Sequence, residues 1–508
     1  MHLSELAARL GDKPAYVLGS TGATLTYREL DERSKQVAQL FAQRGLVTGD
    51  SVAILLENRL EYLTVAWAAQ RSGLYYAPVN WHLSPAESAY IVANCEAKVL
   101  VSSAALEHLA RAVAEAAPKL ASRLTVGQAV PGVERLEDAI AGLPAEPLAD
   151  EREGVYMFYS SGTTGQPKGI KLPGSGEPFG TGHRIDHLMH QAFGFDEDTT
   201  FLVTGPLYHG APLGWSLGAV RNGGTVVLME KFDAATTLEL IERHRVTHAQ
   251  FVPTMFVRML KLPEEVRAAA DLSSLRNVIH AAAPCPVDVK EQIIEWFGPI
   301  VTEFYAGTEG VGFTMIDSAS WLAHKGSVGR VVIGEAHVVG PYGAELPPGE
   351  IGTIWFSGAA GFEYHNEPEK TASAYDDKGW ATLGDIGHLD GEGFLYLSGR
   401  RTDLILSGGV NVYPQEIEDA LIMHPAVADV AVVGVSDPEW GQRVHAVIQA
   451  ARPEDAGPEL ADTLIQHCRD TIAGYKVPRN VSFVDDLPRL PSGKILRRAV
   501  MEQLETVG

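Results

Sequence analysis

The run Tyr159-Ser160-Ser161-Gly162-Thr163-Thr164-Gly165-Gln166-Pro167-Lys168-Gly169 is dense in hydroxyls and glycine and carries one lysine. Residues 155–159 read as a strand entering it. Such a loop can aim backbone N–H groups, hydroxyls and an ammonium at phosphate oxygens. It is not the ATPase phosphate loop, because Lys168 is followed by Gly169 rather than Ser or Thr. A surface loop of the same composition is the alternative. A second run, Gly214-Trp215-Ser216-Leu217-Gly218, fits the G-x-S-x-G pattern of a serine nucleophile. That pattern needs a strand directly before the serine, and Pro206, Gly210 and Pro212 make the preceding run loop-like. Gly174-Ser175-Gly176 begins a dinucleotide fingerprint, but Pro178 interrupts the helix it must open.

The elements around these runs alternate. Thr26-Tyr27-Arg28-Glu29 is a capping box that opens an amphipathic helix to about Arg44, and residues 51–56 follow as a buried strand. Ser84-Pro85-Ala86-Glu87 repeats the cap with proline at the first helical position, ahead of a strand over 98–102. Further strands are expected at 226–229, 278–280 and 301–305. The fold class is therefore α/β with parallel-rich sheets. From Gly349 the pattern turns to short strands and turns (352–357, 391–396), a β-rich part. After Asp403 it returns to strands at 430–435 and 444–450 and a helix over 458–473, a small α+β unit. The expected division is a large N-terminal domain over 1–399, a hinge over 400–403 and a C-terminal domain over 404–508.

At 508 residues the chain exceeds a single core. Its net charge of −23 argues against a nucleic-acid surface and against docking on anionic lipid. No apolar run is long enough for a membrane span, and the start lacks a signal peptide's pattern. Three scattered cysteines, Cys95, Cys285 and Cys468, fit neither a disulfide framework nor a zinc site, so a cytoplasmic location is expected.

Four further runs follow the phosphate loop in order: Tyr305-Ala306-Gly307-Thr308-Glu309, Trp380-Ala381-Thr382-Leu383-Gly384-Asp385, Gly399-Arg400-Arg401-Thr402-Asp403 with the Gly408-Gly409 loop behind it, and Pro491-Ser492-Gly493-Lys494. Together these motifs resemble the adenylate-forming enzymes, which include acyl-CoA synthetases, amino-acid adenylation domains and firefly luciferase. The resemblance spans nearly the whole chain and is strongest to carboxylate–CoA ligases.

That resemblance implies ATP, Mg²⁺ and coenzyme A as cofactors. The acid would become an acyl-adenylate with release of pyrophosphate, then an acyl-CoA thioester with release of AMP. It implies ATP contacts from Ser160, Ser161, Gly162, Thr163, Thr164, Gly165, Lys168, Tyr305, Ala306, Gly307, Thr308, Asp385 and Arg400. Thr308 would touch the α-phosphate, Glu309 would hold the metal, and Asp385 would accept from the ribose hydroxyls. Lys494 would neutralise the two anions that meet at the α-phosphate. Leu383 departs from the family, which usually has a hydroxyl residue there. Asp403 falls at the family's pivot, about which the C-terminal domain would dock once for each half-reaction. Gly408 and Gly409 would leave room for the pantetheine arm, with Trp440 and Tyr475 on the CoA side; a half-buried aromatic at a domain edge is the other reading of Trp440.

Pro206-Leu207-Tyr208-His209-Gly210 resembles the motif whose aromatic and histidine border the acid site, so His209 joins the catalytic set. The acid pocket is expected to be formed by Tyr208, Gly210, Leu213, Trp215, Ala282, Ala283, Gly307 and Gly312, with Met255 and Phe256 narrowing it. No aspartate near Tyr208 offers to bind an amino group, and no cation is evident for a second carboxylate. An apolar monocarboxylic acid is expected, either a medium or long fatty acid or an aromatic or steroid-type acid. Its partners would be that acid, ATP and CoA, with a homodimer left open. A serine hydrolase and a non-enzymatic nucleotide sensor are the rival readings.

Overall fold

The computed structural model describes residues 1–160, 167–174, 176–358, 360–400, 403–407, 410–437, 440–489 and 495–507. Local signals set the first elements. The Thr26 hydroxyl accepts from the Glu29 N–H at 3.2 Å, and the Glu29 carboxylate accepts from the Thr26 N–H at 3.0 Å, opening the helix Tyr27–Gln43. Ser84 and Glu87 form the same box ahead of Pro85–Asn94, with Pro85 in the first turn. Each box satisfies N–H groups that a helix start leaves unpaired. Ser51–Leu55 is buried along its whole length, as a strand with parallel neighbours on both sides must be.

Three sheets form among the described residues. The eight-stranded sheet is parallel around Ser51–Leu55 and ends in the antiparallel pair Val155–Ser160 and Lys168–Lys171, which Glu363–Tyr364 extends. The thirteen-stranded sheet has a parallel centre, in the order Thr225–Leu228, Thr200–Val203, His248–Phe251, Asn277–His280 and Val301–Ala306. It continues antiparallel from Phe313–Ile316 through Ser327–Ile333 to Leu395–Arg400 and Asp385–Leu389. The third sheet, of five strands, is drawn from Ile405–Ser407, Val410–Val412, Val427–Asp437, Gly441–Ala450 and Asn480–Phe483.

Two expectations are corrected. The β-rich part begins at Phe313 rather than Gly349, because the four-residue run Phe313–Ile316 is too short for periodicity to separate strand from helix. Ser216 lies inside the helix Gly210–Arg221, fully buried, and its hydroxyl donates to the Pro212 carbonyl one turn back. It is no nucleophile elbow, since that requires an exposed serine between a strand and a helix. No helix among the described residues is long and apolar enough to cross a membrane.

Candidate active site

A cleft of about 1000 Å³ opens at the carboxyl ends of the parallel strands in the thirteen-stranded sheet. Ligands collect at this edge of open α/β sheets because the loops leaving each strand converge there. The cleft is lined by Thr204, Gln250, Ala281 and Tyr305 from successive strand ends, by Ser160 and Lys168, and by residues of the C-terminal sheet region.

On one side, Ser160 and Lys168 are direct partners in the antiparallel pair. The Lys168 ammonium sits 4.9 Å from the centre of the Tyr364 ring, and burial followed by the nearby Lys370 lowers its pKa. The Tyr364 hydroxyl donates to Glu309 Oε1 at 3.1 Å. Tyr364 thus links the predicted metal carboxylate to the predicted phosphate lysine, and no motif pointed to it. Glu309 and Thr308 both line the cleft. Among the described residues no group of three or more His, Cys, Asp or Glu is gathered into a metal cage. A single carboxylate completed by phosphate oxygens and water is a set that Mg²⁺ accepts, so Glu309 fits the ion. Asp385 is held on both oxygens: Arg400 Nε donates to Oδ1 at 3.0 Å and the Tyr305 hydroxyl donates to Oδ2 at 2.6 Å. Gly384, at φ +78°, makes the turn that brings Asp385 to the strand edge. Leu383 packs where a Gly307 side chain would be, 2.6 Å from an added Cβ, so the departure at 383 and the glycine at 307 fill one space. Ala306 and Gly307 line the same cleft. Ser161, Gly162, Thr163, Thr164 and Gly165 lie outside the described residues.

On the other side, His209 precedes the first residue of the helix Gly210–Arg221, and Gly210 brings that helix end against Thr308, whose Oγ1 lies 3.8 Å from where a Cβ would be. Burial pushes the His209 imidazole down to about 4, so it is neutral at physiological pH, and its Nε2 has no partner among the described residues. Five residues into the helix, Trp215 stacks on Phe304 at 5.3 Å and 18°, and Phe304 stacks on Phe313 at 4.9 Å and 10°. All three rings line the cleft, as does Tyr208.

Three expectations about this pocket are corrected. Leu213 is fully buried in the core and absent from the lining, because it projects from the other side of the helix. Gly312 lines the cleft as expected, and its missing side chain also makes way for Phe356, whose ring lies 2.2 Å from an added Cβ. Phe256 packs on Phe251 and His280 in the core, while Met255 lines the cleft. A cation is also present: Arg184, exposed at the start of the helix Arg184–Phe193, lines the cleft and forms no ion pair with the described residues. Ala282 and Ala283 do line it, Ala282 with a left-handed backbone at φ 78°.

The C-terminal region closes the cleft with Arg489, Ile495, Leu496 and Arg497, together with Asp403, Glu418 and Asp419. The Lys261 ammonium, from the large domain, donates to the Ile422 and Val427 carbonyls at 3.2 and 2.6 Å. Trp440 lies outside the lining with Arg479 4.1 Å over its ring, and Tyr475 is solvent-exposed, so neither predicted CoA residue is brought to the cleft in this arrangement. Lys494, Gly408 and Gly409 lie outside the described residues.

Residues 3–363 match the AMP-binding enzyme family, and residues 416–494 match the AMP-binding enzyme C-terminal domain. The feruloyl-CoA synthase of an Amycolatopsis species is 35% identical over 94% of this chain and 94% of its own. The long-chain-fatty-acid–CoA ligase of Mycobacterium tuberculosis is 32% identical over 96% of this chain and 95% of its own. Among solved structures, the o-succinylbenzoate CoA synthetase of Bacillus subtilis, bound to its acyl-adenylate intermediate, superposes with a TM-score of 0.81 at 28% identity, covering 98% of this chain and 97% of the other. The chain belongs to the AMP-binding enzyme family, among its adenylate-forming acid–thiol ligases.

Proposed function

We propose that the chain joins a compact, ring-bearing carboxylic acid to coenzyme A by way of the acyl-adenylate. The observation that carries this reading is the stack Trp215–Phe304–Phe313 across the acid side of the cleft. Gly210 touches the Thr308 region, and Trp215 follows roughly 8 Å further along the helix axis at 1.5 Å per residue. A flat ring fits that depth and gains from offset contact with aromatic faces. A long acyl chain would have to turn aside at the rings.

In the first step a carboxylate oxygen of the acid attacks the α-phosphorus of ATP and the bond to pyrophosphate breaks. Thr308 and Lys494 are the groups we assign to the α-phosphate, where charge shifts between two anions and fixed donors are worth most. Glu309, oriented by Tyr364, would hold Mg²⁺, which neutralises phosphate charge. Asp385 retains free lone pairs on both oxygens for the ribose hydroxyls while Arg400 and Tyr305 fix its plane. In the second step the CoA sulfur attacks the acyl carbon, AMP leaves and the thiol proton passes to solvent. We place the pivot between the two steps at residues 400–403, with Gly408, Gly409, Trp440 and Tyr475 turned to the cleft only for the second.

The experiment is kcat/KM over saturated acids from four to sixteen carbons beside benzoic and cinnamic acids. A flat fatty series below a preferred ring acid supports the reading. A steady climb with chain length, at about 0.8 kcal/mol per buried methylene, contradicts it.

A further inference from the structure

We propose that Gln250 selects, within that acid class, substrates whose ring carries a hydroxyl group; the inference rests on the ring-acid reading. Gln250 is the one glutamine in the short strand His248–Phe251, every residue of which is buried. Its neighbours in register are Val203 on one side and Ile279 on the other. Paired residues in a parallel sheet share a face, and residues two apart along a strand share it too. Val203 and Ile279 belong to the same packed cluster as Trp215, Phe304 and Phe313. Further along the strand, His248 lies 4.5 Å from the Phe195 ring, which in turn lies 5.8 Å from Trp215. Gln250 therefore issues from the sheet face that carries the aromatic wall, at the strand's carboxyl end, and it lines the cleft.

Its chemistry is out of keeping with that wall. Gln250 is only 7% exposed, yet its Oε1 has no hydrogen-bond partner among the described residues. Thr204 Oγ1 donates to the Gln250 backbone carbonyl at 2.6 Å rather than to its amide. A buried amide oxygen without a donor is destabilising, whereas a leucine there would carry no such cost. Nε2 makes no hydrogen bond with the described residues either, so the unpartnered amide offers a ligand both donors and an acceptor. A hydroxyl on a ring lying along the Trp215–Phe304–Phe313 stack, which can accept as well as donate, complements it, and the neighbouring apolar surface takes the ring itself. An unsubstituted ring would leave the Gln250 amide unpaired, and so bind less well.

The test uses full-length enzyme with ATP, Mg²⁺ and CoA, and matched ring acids that differ only by one hydroxyl moved around the ring. Wild-type enzyme is expected to show one hydroxyl position that raises kcat/KM about ten- to hundredfold over the unsubstituted acid. In Gln250→Leu and Gln250→Met the ratio at that position should fall to about one. The ratio is unaffected by any general loss of activity in the variants. Equal ratios in wild type and both variants would overturn the role of Gln250 while leaving the ring-acid reading in place. A wild type with no preferred hydroxyl position overturns it without recourse to variants. Failure of every ring acid beside turnover of fatty acids would instead remove the reading on which the inference rests.

Discussion

The Arg497 guanidinium reaches Asp403, its Nε 3.3 Å from Oδ2, while its other nitrogens bind Glu418 and the Val432 carbonyl. The segment that follows the Lys494 motif is thereby tied to the proposed pivot and to the C-terminal sheet at once. Asp403 also donates its own N–H to the Arg400 carbonyl at 3.0 Å. Asp403→Pro removes that donor and fixes φ, so the thioester half-reaction should slow more than adenylation. Asp403→Ala, which loses only the ion pair, separates the two effects. Single-turnover rates of each half-reaction are the measurement, and an unchanged thioester step in Asp403→Pro would place the pivot elsewhere.

Tyr364→Phe tests the orientation of the metal carboxylate. The variant keeps the ring under Lys168 but removes the donor to Glu309. Partners that orient a metal ligand typically account for about 10–100-fold in affinity, so the Mg²⁺ concentration for half-maximal adenylation should rise by that factor. The KM for the acid should barely move. An unaltered Mg²⁺ requirement would show that Glu309 needs no help from Tyr364.

These two cases also show what could be read from the chain. The capping boxes at Thr26 and Ser84 were legible because donor and acceptor lie three residues apart. The links from Tyr305 to Asp385 and from Tyr364 to Glu309 join residues 80 and 55 positions apart, which no local pattern encodes. Glycine was the most deceptive signal. Gly307 and Gly312 both line the cleft, but each missing side chain also makes way for a protein neighbour, Leu383 and Phe356 respectively, so smallness in sequence did not measure space for a ligand. Gln250 was readable in principle, as a lone amide between Ala249 and Phe251 in a buried strand. Its significance emerges only when the aromatic wall is seen on the same face.

Asp419 gives the docked arrangement a pH dependence. It lines the cleft at the domain junction, where burial pushes its carboxyl up to about 7; Gln415 donates to it at 2.7 Å, while Glu418, Glu416 and Asp288 add repulsion. Exposed after rotation, it would return to the ordinary value near about 3.9. The docked form thus loses standing as pH rises from about 4 to about 7 and no further above that. The adenylation rate relative to the thioester rate should fall across this window and level off, and Asp419→Asn should flatten the profile. The same slope in the variant would exclude Asp419 as its source.

Lys494→Ala should reduce adenylation by at least about 10²–10³ and spare thioester formation from supplied acyl-adenylate. The motive is the place of the adjoining residues Arg489 and Ile495 on the cleft in this arrangement. Equal damage to both half-reactions would rule out two docked states.

The central claim is that the acid is activated on the α-phosphate before CoA takes part. Incubation of the enzyme with ATP, Mg²⁺, CoA and a ring acid labelled with ¹⁸O in its carboxylate tests it directly, read by mass spectrometry of the nucleotide and phosphate products. One labelled oxygen is expected in AMP and none in pyrophosphate, with acid-dependent ATP–pyrophosphate exchange when CoA is left out. Label appearing in orthophosphate, or exchange that requires CoA, would contradict it.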